Sequence, residues 1–213
     1  MNKGKLIIWD CDGVLVDSEW IGARAFTDII NELGGQLTVS EVYHSLKGGD
    51  IYKSIQFVKE QVTIRDDAEI VARYRKLSSE LFEKELKQVS GVEKVLSSTT
   101  KHRCVASNGP RIKIFENLRI TGLMKYFEPH TIFSGHDIQS FKPEPHLFLM
   151  AAELMGTNPD SCIVIEDSLH GANAASAAGM FCFGYCAETE PEAFSALGAT
   201  PFHSMDELLQ YLM

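Results

Sequence analysis

Leu6-Ile7-Ile8-Trp9-Asp10-Cys11-Asp12-Gly13-Val14-Leu15-Val16-Asp17-Ser18 is an apolar run that ends abruptly in acid. Four apolar residues bounded by a turn signal read as a buried strand. Two carboxylates stand one residue apart just past its end, and Gly13 follows. In an open parallel sheet, chemistry gathers outside the carboxyl ends of the strands. Asp10 and Asp12 are therefore expected in a crevice, where their mutual repulsion invites a divalent cation. The blander alternative is an acidic turn, with Asp12-Gly13 as the turn itself.

Beyond this strand the pattern turns helical to about residue 87. Ile21, Ala25, Ile29 and Leu33 recur every four residues with Phe26 and Ile30 beside them, one apolar helix face. Asp17 or Ser18 is placed to cap its start, and Gly34-Gly35 to end it. Ser40 is read as the cap of a short helix through Leu46, and Asp50 as the cap of another carrying Ile51, Ile55 and Val58. Ile70, Tyr74, Leu77 and Leu81 mark a longer helix. Together they predict a small helical bundle.

From Ser90 strand and helix alternate. Ser90-x-x-Glu93 reads as a capping box opening a helix through Leu96. Strands are predicted over 103–107, 131–134, 161–165 and 180–185. Helices are predicted around Ile114 and Leu118, over 145–154, over 171–178 and after the Ser204-x-x-Glu207 box. Such alternation argues a parallel sheet. The expected architecture is α/β: a doubly wound, Rossmann-like parallel-sheet core of residues 1–16 and 88–213, with a helical-bundle cap of residues 17–87 inserted after the first strand.

With 213 residues, 45% hydrophobic and 23% charged, the chain has ordinary globular composition. A formal net charge of −9 disfavours a nucleic-acid backbone or an anionic membrane as partner. Five cysteines without C-x-x-C spacing read as free thiols in a reducing compartment, mostly buried as small hydrophobes. The N-terminal apolar run is too short for a signal peptide and no stretch reaches membrane-span length. A cytoplasmic protein is expected, as a monomer or weak homodimer.

Four polar groups fall at or just after successive core strands: Asp10/Asp12, Ser107, Lys142 and Glu166/Asp167. Together they offer a carboxylate nucleophile, a second carboxylate for proton transfer, and acids to hold Mg2+. They also offer a hydroxyl and a lysine to stabilise a transferring phosphoryl group. Singly each has a plainer reading. Ser107 fits an N-cap, Lys142-Pro143 a solvated turn, and Glu166-Asp167-Ser168 a charged helix start. Their order and spacing carry the inference.

Asp10-x-Asp12-Gly13-x-x-x-Asp17-Ser18-Glu19, Ser107-Asn108-Gly109, Lys142-Pro143-x-Pro145-x-x-Phe148 and Glu166-Asp167-Ser168-x-x-Gly171 resemble the four motifs of the haloacid dehalogenase superfamily. The insertion after the first motif resembles its subgroup with a helical cap. The resemblance implies Asp10 as nucleophile, Asp12 as general acid/base, and Ser107, Asn108 and Lys142 on the phosphoryl group. It implies Mg2+ held by Asp10, the Asp12 carbonyl and Asp167, with Glu166 direct or through water.

The acid at Asp12 argues against dehalogenation, because the dehalogenases proper lack it. Lys47-Gly48 is similar to a cap-loop pair in the β-phosphoglucomutases, where Lys47 could reach a substrate's acidic or hydroxyl group; a solvated loop lysine is the plainer reading. Those mutases, however, carry His at the position of Gly22 and Arg at that of Ile51. The stretch Ser134-Gly135-His136-Asp137-Ile138-Gln139, with Ser107-Asn108-Gly109-Pro110, is most similar to bacterial 6-phosphogluconate phosphatases. His136, His146 and His170 form no i, i+4 pair and read as surface or rim residues rather than metal ligands. The expected activity is Mg2+-dependent hydrolysis of a small phosphorylated sugar or sugar acid, with 6-phosphogluconate as a candidate. A phosphosugar mutase is the alternative, and a non-catalytic phospho-receiver is a more distant one.

Overall fold

The computed structural model describes residues 5–46 and 51–213. The chain divides into two compact units, Met1–Val16 with Gln88–Met213, and Asp17–Lys87.

The first unit is built on a six-stranded parallel sheet: β1 (Leu6–Trp9), β2 (His102–Ser107), β3 (Ile132–Ser134), β4 (Cys162–Glu166), β5 (Phe181–Tyr185) and β6 (Thr200–Phe202). The order is β3-β2-β1-β4-β5-β6, with every neighbouring pair parallel. β1 is central, which is why all four of its residues are apolar and buried. Its register sets Trp9 opposite Val105 on one side and Ile165 on the other. The residues just beyond, Asp10, Ser107 and Glu166, therefore emerge at one edge of the sheet. Strand order reverses between β1 and β4, so this edge is the topological switch point. Past it, Val16 bridges Gln88 and the Val89 N–H donates to the Leu15 carbonyl, pairing outgoing and returning chain.

The helical unit carries α1 (Glu19–Glu32), α2 (Val39–Leu46), α3 (Ile51–Gln61) and α4 (Asp67–Glu85). Its core joins Phe26, Ile29, Ile30, Val42, Ile55, Val58 and Ile70. Leu33, the last residue of the α1 stripe, stays exposed. Phe26 stacks on Tyr74 with centroids 4.0 Å apart, and Arg24 makes two bonds of 2.9 and 2.7 Å to the Glu85 carboxylate. Glu19, placed where it favours the helix dipole, also accepts from the Tyr43 hydroxyl at 3.3 Å.

The sheet unit continues with α5 (Val92–Ser98), α6 (Arg111–Ile120), α7 (Gly135–Ile138), α8 (His146–Leu154), α9 (Leu169–Ala177), α10 (Pro191–Ala196) and α11 (Met205–Leu212). Ala151 and Ala152 of α8, and Ala172, Ala174 and Ala175 of α9, pack with Leu6 and Ile8 of β1. These small side chains let helices approach the sheet closely. Burying Leu6 and Ile8 contributes roughly 1.5–3 kcal/mol each. Among the described helices, none is long and apolar enough to cross a membrane. All five cysteines are free and all but Cys186 are buried.

Three capping expectations change. Ser18 stands at the N-cap of α1 but its side chain makes no capping hydrogen bond. Thr38, not Ser40, opens α2: its hydroxyl accepts from the Glu41 N–H and the Glu41 carboxylate accepts from the Thr38 N–H at 2.8 Å. α5 starts from Gly91 at φ 83°, not from a Ser90 cap, because Glu93 turns away to Lys125 and Gln88. The Ser204 cap on Glu207 of α11 forms as read. Asp50 lies outside the described residues. β6, α7 and α10 were not anticipated.

Candidate active site

Asp10 leaves the end of β1 with its N–H donating to the Ile165 carbonyl at 3.0 Å, so β4 extends the sheet ladder up to the acid itself. The Lys142 ammonium donates to Asp10 Oδ1 at 2.7 Å and to Glu166 Oε1 at 2.5 Å. All three side chains are buried. Lys142 does not stand at a strand end. It lies beyond α7 in the loop before α8, and Asn108 brings it in: Asn108 Oδ1 accepts from the Lys142 N–H at 2.8 Å, and its Nδ2 donates to the Lys142 carbonyl at 3.3 Å. The Phe148 ring lies 4.9 Å from the ammonium. Glu166 Oε2 accepts from the Asp167 N–H, the Ser168 N–H and the Ser168 hydroxyl. Ser168 Oγ in turn caps α9 through the Gly171 N–H.

Across the crevice, Ser107 is buried at the end of β2, and its Oγ accepts from the Gly109 N–H at 3.2 Å. Asp12 is held from α6: Lys113 donates to Oδ2 at 2.8 Å and Asn117 to Oδ1 at 3.3 Å. A Cβ added to Gly109 would lie 3.5 Å from Ser107 Oγ and 3.6 Å from Asp12 Oδ2, so these groups flank one small space.

Burial pushes the Asp10 carboxyl up to about 7; Lys142 opposes this and Glu166 adds to it. Burial alone would lower Lys142, but Asp10 and Glu166 outweigh it and keep the ammonium charged above its usual range. The Cys11 thiol, between the two acids, is pushed well up by burial and then by Asp12 and Asp10, which removes it as a nucleophile.

Asp10, Glu166 and Asp167 each present a carboxylate oxygen, mutually within 4.8 Å and all buried. Lys142 offsets only part of that charge. Gly13, at φ 78°, and Gly171 close over the Asp167 and Glu166 carboxylates so tightly that a Cβ at either place would overlap them. A buried, all-oxygen acidic cradle fits a hard divalent cation such as Mg2+.

Residues 7–185 match the family model described as haloacid dehalogenase-like hydrolase. The chain belongs to this hydrolase family. It is 36% identical over 211 residues to the 6-phosphogluconate phosphatase of Escherichia coli (strain K12), covering 98% of this chain and 94% of that protein. A solved haloacid dehalogenase-like protein from Agrobacterium tumefaciens superposes with a TM-score of 0.84 at 33% identity, over 98% of this chain and 97% of that one. A Thermotoga maritima structure, provisionally assigned as a β-phosphoglucomutase, gives a TM-score of 0.83 at 26% identity over 98% of each chain.

In this hydrolase the structure gathers Asp10, Asp12, Ser107, Asn108, Lys142, Glu166 and Asp167 at one sheet edge. Lys47 lies outside the described residues. His136, His146 and His170 are exposed, and among the described residues none joins the acidic cluster. Lys113 and Asn117 were missed, although their i, i+4 spacing on the helix following Ser107 puts two donors on one face. Phe148 and Ser168 were read only as motif members, not as supports of Lys142 and Glu166.

Proposed function

We propose that this enzyme is a Mg2+-dependent phosphomonoesterase acting on small phosphorylated sugars or sugar acids, with Asp10 as the group that takes the phosphoryl. Asp10 and its surroundings carry the reading. It is a buried acid at the switch point, in contact with a buried lysine shared with Glu166. Asp12 sits two residues on, and its Oδ2 borders the same small space as the Ser107 hydroxyl. The names of the relatives point the same way.

In the first step an Asp10 carboxylate oxygen forms a bond to phosphorus. The bond to the ester oxygen breaks, that oxygen keeps the electron pair, and Asp12 delivers its proton to it. In the second step water attacks the aspartyl-phosphate, Asp12 takes the water's proton, and inorganic phosphate leaves as Asp10 is regenerated. Ser107 and Lys142 hold the phosphoryl oxygens. Asp10, the Asp12 carbonyl, Asp167 and Glu166 would hold the cation, which when bound supplies charge neutralisation between acid and phosphate. The role assigned to the helical unit is that of the cap, and the role assigned to Lys47, from the sequence, is recognition of the sugar portion.

Hydrolysis is favoured over mutase chemistry by Gly22. A Cβ there would lie 3.1 Å from the Tyr74 hydroxyl, so the helical unit has packed a tyrosine against the place where the mutase-like relatives carry His. The test follows free phosphate and glucose 6-phosphate from 6-phosphogluconate, and separately from β-glucose 1-phosphate with a bisphosphate primer, in Mg2+. Phosphate release from 6-phosphogluconate, weakened in Lys47→Ala, is expected. Rapid glucose 6-phosphate with little free phosphate would sink the hydrolase reading.

A further inference from the structure

Asn117 is an expensive residue for the fold to keep. It is 1% exposed on α6. Its Oδ1 has no hydrogen-bond partner among the described residues, while its Nδ2 donates to Asp12 Oδ1. A buried acceptor left unmatched costs about 1–3 kcal/mol, which offsets what the bond to the carboxylate returns, so the amide brings the fold no net gain. Leucine, similar in size and without polar atoms, would serve packing better. The only described bond that the Asn117 side chain makes is the one to Asp12, and one helical turn earlier Lys113 holds the other oxygen of the same carboxylate.

We infer that Asn117 and Lys113 are positioning residues that fix the Asp12 carboxylate for proton delivery to the departing ester oxygen. The inference rests on the reading of Asp12 as the general acid. A short side chain just past a strand end has several rotamers available, and an acid displaced by an ångström loses much of its effect. α6 removes that freedom by gripping both oxygens from a rigid element. The grip aims Oδ2 at the same small space that the Ser107 hydroxyl borders. Neither residue forms a bond to the substrate; each acts through Asp12.

The test separates positioning from general structural support by the basicity of the leaving group. p-Nitrophenolate departs without protonation, whereas the alkoxide of benzyl phosphate needs it. Single-turnover release of p-nitrophenol and of benzyl alcohol is measured with enzyme in excess, and the benzyl to p-nitrophenyl rate ratio is compared across variants. Asp12→Asn sets the full effect, within the roughly 10²–10⁴-fold that a positioned acid supplies. Asn117→Leu and Lys113→Met are expected to lower the ratio by about tenfold, a fraction of that effect. Lys113→Arg, which keeps the donors, restores it. Asn117→Leu is also expected to melt at or above the wild-type temperature.

A ratio unchanged in Asn117→Leu and Lys113→Met, with Asp12→Asn still lowering it, overturns the inference while sparing the acid. The same holds if Asn117→Leu lowers only the melting temperature. An unchanged ratio in Asp12→Asn itself overturns the acid assignment and the inference with it.

Discussion

Replacing Lys142 with methionine keeps the bulk of the side chain and removes one charge from a buried cluster. The ammonium now donates to Asp10 at 2.7 Å and Glu166 at 2.5 Å, and its side chain is 3% exposed. Removing one partner of a buried ion pair costs about 3–5 kcal/mol, because the remaining charge is left uncompensated. The loss should depend on pH. Asp10 titrates at about 7 in the folded protein, above its ordinary 3.8, with burial as the main cause and Lys142 holding it down. Without Lys142 it rises further. A carboxyl with a raised folded pKa contributes stability that is present below its unfolded pKa and is lost as pH rises through the folded one. Wild type and variant lose this stability alike up to about pH 7, so the deficit of Lys142→Met that acts through Asp10 opens above pH 7, where only the wild-type acid ionises, and grows by about 1.4 kcal/mol per pH unit until the variant's acid ionises too. Urea unfolding of wild type and variant in EDTA at pH 4.5, 6 and 8 measures it. Mg2+ at a hundredfold excess over its Kd should then return roughly 2.7 kcal/mol by binding only the folded protein. A deficit below about 1 kcal/mol at pH 8, or one equal at all three pH values, would refute the argued coupling of Lys142 to the acids.

Asp10→Asn should abolish turnover while raising the unfolding midpoint in EDTA at pH 8, where the ionised buried acid costs stability, and leaving it near that of wild type at pH 4.5; near-native turnover excludes the covalent route. Mg2+ affinity, read by calorimetry, should weaken about tenfold per pH unit below about 7, as protons compete for Asp10; affinity flat from pH 5 to 8 contradicts this. Ca2+ should bind but inhibit, because its larger and looser coordination misplaces the attacking oxygen; equal rates with both ions would contradict that. Gly171→Ala should cost about 1–3 kcal/mol and weaken Mg2+ binding, because the added methyl meets the Glu166 carboxylate; unchanged cation affinity would show that the close approach is not needed.

Most of the parallel sheet was readable because its central strands are short apolar runs whose last residue is followed at once by a polar group. β1 with Asp10, β2 with Ser107 and β4 with Glu166 each announce both a strand and its functional end. β6 was not readable: it is three residues long, lies at the sheet edge and contains Pro201, which breaks the strand pattern. α10 is six residues starting at Pro191, too short for an apolar period to show. The caps failed where two residues competed. Thr38 precedes α2 and Ser40 falls in its first turn, and only the return of the Glu41 carboxylate decides between them. At the site, motif order located the acids, Ser107 and Lys142 but not what holds them. Asn108 clamps the backbone of Lys142, and Lys113 with Asn117 clamps Asp12 across about a hundred residues of sequence. Such contacts are set by how α6 packs back on the sheet; the i, i+4 spacing puts Lys113 and Asn117 on one face but does not say what that face meets.

The central claim, that Asp10 carries the phosphoryl group, is tested most directly in the Asp12→Asn variant mixed with p-nitrophenyl phosphate and Mg2+. The good leaving group lets the first step proceed, while loss of the base stalls the second. Rapid acid quench, digestion and peptide mass measurement should find one phosphoryl group on the peptide containing Asp10, removable by hydroxylamine. A p-nitrophenol burst with no phosphoryl group on that peptide, or with the group on another residue, would contradict the account.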